Sequence, residues 1–202
     1  MKSLLFLLPL VSTGVWAQTL DPPKIITQQS SHVTKHWAEG SLEATQTVGC
    51  IPLVEARNTF TPPDLYQGVE ACVAQDNYDL AVRLFVLAGI YSWFDADRIT
   101  DKTAAQARTI LIANTFATMP QGKKAKFSKA LDRLTKTPDP ALVEKLCDDV
   151  EKVGAPTYYP SYMILHGIRT FTGNPHEEAL IKDFDVSRAW KNLQSEYLHC
   201  PD

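Results

Sequence analysis

TPPDLYQGVEACVAQDNYDLAVRLFVLAGIYSWFDADR, residues 61–98, decides the fold. Thr61 followed three positions later by Asp64 is a capping box, and Pro62 and Pro63 stand in a first helical turn, where a missing amide proton costs nothing. A helix is therefore expected from Thr61 onward, with Leu65, Val69, Cys72 and Val73 at i, i+4, i+7, i+8 on its inner face. Asp76-Asn77 offers a turn and a new cap. From Tyr78 to Phe94 only Asp79, Arg83 and Ser92 are strongly polar, and a helix apolar nearly all round must be enclosed. The run is shorter than the roughly 18 to 20 residues that span a bilayer, and Asp95, Asp97 and Arg98 close it, so protein encloses it as the core helix.

Working outward, residues 100–118 predict a third helix capped by Thr100 or Asp101, its broad small-residue face drawn from Ala104, Ala107, Ile110, Leu111, Ala113 and Ala117. Met119-Pro120-Gln121-Gly122 breaks it. A fourth helix carries Phe127, Ala130, Leu131 and Leu134 inward. A fifth is capped by Asp139 with Pro140 at its first position, ends at Gly154 and shows the stripe Leu142, Val143, Leu146, Cys147, Val150, Val153. Ser161 to Phe171 reads as a sixth, and a last one follows Asp185 with Val186, Ala189, Trp190, Leu193 and Tyr197 inward. Strand-like alternation is nowhere sustained. The expected class is all-α, about seven helices packed as antiparallel pairs and stapled by disulfides.

The N-terminus reads as a signal peptide over residues 1–17: Lys2, an apolar centre from Leu4 to Val11, and Val15-Trp16-Ala17 before Gln18. Residues 18–35 predict an extended or disordered lead-in, and 36–202 a single helical domain whose first part is helical up to Gly49. A net charge of −3 favours neither nucleic acid nor an acidic surface as partner, and no membrane insertion is expected once the leader is cleaved. A periplasmic or secreted location follows. The 4 cysteines, Cys50, Cys72, Cys147 and Cys200, are an even set in an exported chain and are expected to be disulfide-bonded. Spacing does not choose among the three pairings. We expect Cys50 with Cys72, stapling the incoming segment to the central pair, and Cys147 with Cys200, tying down the C-terminus.

Residues Leu65-Tyr66, Asn77-Tyr78-Asp79-Leu80-Ala81, Leu84-Phe85 and Ala88-Gly89 resemble one helical pair of the tetratricopeptide-like repeats, in particular the short Sel-type variant. The aromatic at Tyr78 and the small residue at Ala81 carry the likeness, and Phe184-Asp185-Val186-Ser187 is a fainter echo of it. The two lie far outside a repeat period, so a regular solenoid is not expected. The resemblance implies protein or peptide binding on a helical surface. In size, export signal and helical character the chain is also similar to exported bacterial immunity proteins, which guard the periplasm against toxins delivered by type VI secretion.

Catalytic signals are weak. No Ser or Cys stands in a nucleophile-elbow context, and there is no phosphate-binding glycine loop. His32 and His36, four apart with Glu39 beyond, have a helical metal-ligand spacing but lie in a polar segment, and the scattered cysteines lack C-x-x-C; no metal or cofactor is expected. His166 in an apolar run reads as a buried histidine, His176-Glu177-Glu178 as a solvated helix start, Asp95 and Asp97 as a helix end, and Asp148, Asp149 and Glu151 as ordinary charge away from the fifth stripe. Two surface features stand out. Lys123, Lys124, Lys126, Lys129, Arg133 and Lys136 form a basic face on the fourth helix, either a docking surface or the partner of Glu144, Asp148, Asp149 and Glu151 across the hairpin. Tyr158, Tyr159 and Tyr162, beside Pro156 and Pro160, form either a contact surface or a lid on the core. The function expected is therefore non-enzymatic binding of another protein, with inhibition of a secreted toxin as its concrete form and Lys123, Lys124, Lys126, Tyr158, Tyr159 and Tyr162 as contacts. The alternative is a small exported hydrolase or ligand-binding protein that uses His166 with carboxylates brought near by folding.

Overall fold

A computed structural model describes residues 22–31, 33–136 and 139–201; the expected signal peptide, His32 and the Thr137-Pro138 break lie outside them. Two short strands, β1 (Ile25–Gln29) and β2 (Thr34–Ala38), are followed by helices α1 (Pro62–Ala74), α2 (Tyr78–Arg98), α3 (Ala107–Ala117), α4 (Gln121–Thr135), α5 (Pro140–Val153), α6 (Ser161–Ile164), α7 (Arg169–Thr172) and α8 (Val186–Glu196).

The caps form as local chemistry demands. The Thr61 side chain accepts from the Asp64 amide at 3.4 Å, and the Asp64 carboxylate accepts from the Thr61 amide at 2.8 Å. Asn77 caps α2, Asp139 caps α5 and Asp185 caps α8, while Gly154 takes a positive φ of 81° at the end of α5. In α2, 14 of 21 residues are buried, so the helix runs through the middle of the molecule. Phe85, in its first half, meets Tyr66, Phe116 and Phe127 edge-on, and in its second half Tyr91 and Phe94 pack on Trp190. Leu84, Leu87 and Ile90 are fully buried, each stabilising by about 2 kcal/mol through removal of apolar surface from water. At Gly68 a Cβ would stand 3.0 Å from both Val48 and Leu84, which is why glycine lets α1 close on α2. The disulfides pair Cys50 with Cys72 and Cys147 with Cys200, as expected.

Four expectations are corrected. β1 and β2 pair antiparallel in the register Ile25↔Ala38, and β2 with the turns after it replaces the helix expected up to Gly49. β-Branched Ile25, Ile26, Thr27 and Thr34 favour the extended chain, but both faces stay largely exposed and only Ala38 is buried. The helix expected over Ser161 to Phe171 breaks into α6 and α7, because Thr103 and Asp101 side chains take the amides of Ile168 (2.9 Å) and Arg169 (3.1 Å) that a continuous helix would use. Lys102–Gln106 is a 3-10 turn leading into α3, so only Ala104, Ala107 and Leu111 of the expected face are buried, and Ile110, Ala113 and Ala117 point outward. Leu142, Val186 and Tyr197, expected inward, are exposed.

Candidate functional site

The tyrosine loop is a lid. Tyr162 is 1% exposed and donates to Asp95 Oδ2 at 2.8 Å; Tyr158 donates to the same oxygen at 2.9 Å. Arg98 donates to Asp95 Oδ1 through Nε (2.9 Å) and Nη2 (2.7 Å), and Nη2 also reaches the Tyr158 carbonyl at 2.8 Å. Asp95 is therefore a buried hub, whereas sequence reads it as a plain helix end. Burial pushes its carboxyl up, against the Arg98 guanidinium and the two phenols, which pull it down. Burial, then the Asp95 charge, holds both phenols well above the ordinary range. Tyr158 and Tyr162 are thus committed to the core and fall out of the expected contact set. Tyr159 remains at the surface, its hydroxyl 3.2 Å from His176 Nδ1.

The basic residues of α4 are partly engaged. Lys123 donates to the Val73 and Ala74 carbonyls at 2.8 and 2.9 Å, closing the C-terminal end of α1. Lys123 and Lys126 each lie 3.6 Å from Asp76, and Arg133 is 2.7 Å from Asp79. The Tyr78 phenol, then these lysines, holds the Asp76 carboxyl below its usual range. These partners lie on the α1–α2 pair rather than on α5. Lys124 makes no ion pair among the described residues. On α5, Asp149 is 3% exposed and pairs with Lys145 at 2.8 Å and Arg83 at 3.9 Å, which corrects the expectation that it faces away from the protein.

A run of adjoining depressions lies between α1 and α3. Along α1 the residues Pro63, Tyr66, Gln67, Glu70, Val73 and Ala74 make one stripe; along α3 Leu111, Asn114, Thr115 and Thr118 make another at i, i+3, i+4, i+7. Between them lie depressions of about 280 and 320 Å³ that share Glu70, Thr115 and Thr118 as walls. A third, about 500 Å³, continues past Leu42 and Asn114 to His36, Ser41 and His166 under the hairpin. The α1 wall from Pro63 to Ala74 is about 16 Å long at 1.5 Å per residue, the span of roughly five residues of extended chain. Leu42, Tyr66, Val73, Leu111 and Met119 give the lining its apolar part, and Gln67, Asn114, Thr115 and Thr118 add amides and hydroxyls, a mixture suited to holding a polypeptide segment. Both stripes mix polar with apolar residues, so hydrophobic periodicity passes over them; a half-polar stripe flanking the core stripe is the signal that marks them.

His166, at the hairpin end, is half-buried with Nδ1 3.4 Å from Ser41 Oγ, and burial lowers its pKa. The carboxylates expected beside it do not line its cavity. Among the described residues no three His, Cys, Asp or Glu side chains gather in a way that could hold a metal ion. A second, more apolar groove of about 800 Å³ lies between α4, α5 and the C-terminal segment, walled by Phe85, Leu131, Leu134, Val143 and Leu198. No helix among the described residues is long and apolar enough to cross a membrane. Comparison with protein-family models, with curated proteins and with solved structures gives no match.

Proposed function

We propose that the chain is an exported, non-enzymatic protein that binds a segment of another protein, and in its most concrete form an immunity protein that inhibits a secreted toxin in the periplasm. The trough between α1 and α3 carries this reading: a lining that mixes apolar side chains with amides and hydroxyls, long enough for several extended residues. The two disulfides fit an oxidising, non-cytoplasmic compartment, and the leader-like N-terminus supports export. Tyr159, Lys124 and Lys126 stay in the contact set as surface residues outside the trough, and Lys123 sits at its far end.

The test begins with the neighbouring reading frame. If it encodes a secreted toxin, that toxin is directed to the periplasm of a host with and without this chain. Rescue of growth is expected, together with its loss in Asn114→Arg and Thr118→Arg, whose exposed side chains would fill the trough without touching the core. Rescue untouched by both variants rejects the trough as the contact, and unrelated metabolic neighbours with no protected target reject the immunity reading.

A second reading rests on the Ser41–His166 contact in its cavity, which a small hydrolase or ligand-binding protein could use. His166→Ala separates the two: loss of an ester-hydrolysing activity at unchanged stability favours the enzyme, and loss of stability alone favours a packed histidine.

A further inference from the structure

We infer that the hairpin end of the trough takes the C-terminal carboxylate of a partner polypeptide, whose preceding residues lie extended between α1 and α3. This rests on the protein-binding reading and adds a direction and a terminal chemistry to it. The donors gather at one end. His36, exposed on β2, lines the depression there beside Lys35 and Trp37. Its Nδ1 lies 2.9 Å from the Thr27 hydroxyl, leaving Nε2 for a ligand. His166 presents Nδ1 to Ser41, leaving its other ring nitrogen, and Asn114 adds a side-chain amide to the same cavity. Lys35 lines it and adds positive charge, and among the described residues no acidic side chain lines this depression.

Elsewhere along the trough the charge pattern is different. Glu70 stands on its middle wall and disfavours an acid there. Lys123, at the far end, is already bonded to the carbonyls of Val73 and Ala74 and lies beside Asp76. A ligand with negative charge at one end and neutral backbone over the rest matches this layout, and the C-terminus of an extended chain is such a ligand. Gln67, Asn114 and Thr118 stand along the walls where its peptide groups would pass.

The test uses the leaderless protein with both disulfides intact and three pools of random hexapeptides labelled at the N-terminus: one with a free C-terminal carboxylate, one amidated, and one amidated with a fixed internal Asp. Fluorescence anisotropy is expected to show the free-acid pool binding at least about tenfold more tightly than either amidated pool, the loss corresponding to a charge-assisted contact. His36→Leu, at an exposed position, is expected to erase most of that difference with the unfolding midpoint unchanged, and His166→Leu to do the same if it folds. Equal binding of free and amidated pools overturns the inference while leaving polypeptide binding in place. Tight binding of the internal-Asp pool overturns it in favour of an acidic side chain. If no pool binds, the inference falls, and the toxin-rescue assay judges the wider reading separately.

Discussion

Asp95→Asn tests the claim that the tyrosine lid is held by a buried charge. Asp95 has no exposed surface and Arg98 is 9% exposed, so the variant leaves a guanidinium mostly inside the protein without its counter-charge. The asparagine oxygen can still accept one or two of the four hydrogen bonds, and Arg98 keeps its bond to the Tyr158 carbonyl. Breaking one partner of a buried pair costs about 3–5 kcal/mol, since the remaining charge is desolvated without compensation. At roughly 2–4 °C per kcal/mol for a domain of this size, the midpoint should fall by about 10 °C. Urea unfolding followed by far-UV circular dichroism at pH 7, disulfides intact, measures the cost directly, with an unchanged slope showing that the unfolded state is not altered. Tyr158→Phe and Tyr162→Phe each remove one donor from the same oxygen and should cost about 1–2 kcal/mol, with the double variant non-additive because the two share Oδ2. A cost below about 1 kcal/mol for Asp95→Asn would refute the hub, and the lid would then rest on packing alone.

Three further outcomes are expected. In the chain-entropy model the Cys147–Cys200 bridge, with a separation of 53, stabilises by about 4 kcal/mol and the Cys50–Cys72 bridge, with a separation of 22, by about 3 kcal/mol; paired Cys→Ser variants compared by urea unfolding should keep that order, and a reversal would show that native-state contacts outweigh loop length. Lys123→Met should cost about 1 kcal/mol by freeing the end of α1, whereas Lys124→Met should stay within about 0.5 kcal/mol; equal effects would dismiss the helix-end contact. Burial holds His166 below the ordinary imidazole pKa of 6.5, so the folded state resists its protonation. Its contribution to stability is complete above about pH 6.5 and is lost as pH falls through the lowered value, and His166→Leu should flatten that part of a melting-temperature profile.

The legible parts of this fold are those specified locally. A capping box, an Asx cap or a helix apolar all round needs only neighbours in sequence, and Thr61, Asn77, Asp139 and the α2 core all stand where their residues place them. The hairpin escapes because each strand is five residues long and nearly all of both faces is solvated, which leaves no apolar alternation to see. The Asp95 hub escapes for another reason. Its phenol partners lie 63 and 67 positions away, and tyrosines between prolines have the same local pattern whether the segment folds inward or out. The break between α6 and α7 is equally non-local, since the amides that would continue the helix are taken by Asp101 and Thr103. Among the candidate contacts, the basic run of α4 is legible as charge, but its partners Asp76 and Asp79 are not, and neither is the trough, whose walls pair two half-polar stripes from different helices with the loop at Leu42.

That loop makes the trough sensitive to a residue outside it. Leu42 and Ala44 form part of the wall, and the segment they belong to is anchored where Asp64 accepts from the Thr45 and Gln46 amides at 2.6 and 2.8 Å. The same carboxylate, with no exposed surface, also closes the capping box of α1, so one side chain fixes the loop wall relative to the helix wall. Asp64→Ala removes a cap worth about 1 kcal/mol together with the part-buried, charge-assisted bonds from the Thr45 and Gln46 amides, so a total of about 2–3 kcal/mol is expected. The distinguishing readout is local. Amide hydrogen exchange at Thr45 and Gln46 should accelerate well beyond the change seen for the α2 core, because the loop loses its anchor while Cys50–Cys72 still holds its far end. If those two amides exchange no faster than the global loss of stability requires, the loop is held by packing and Asp64 acts only as a helix cap. If they do, mutation of Asp64 should weaken partner binding at temperatures where the protein remains folded, since one wall of the trough would no longer stand in a fixed place.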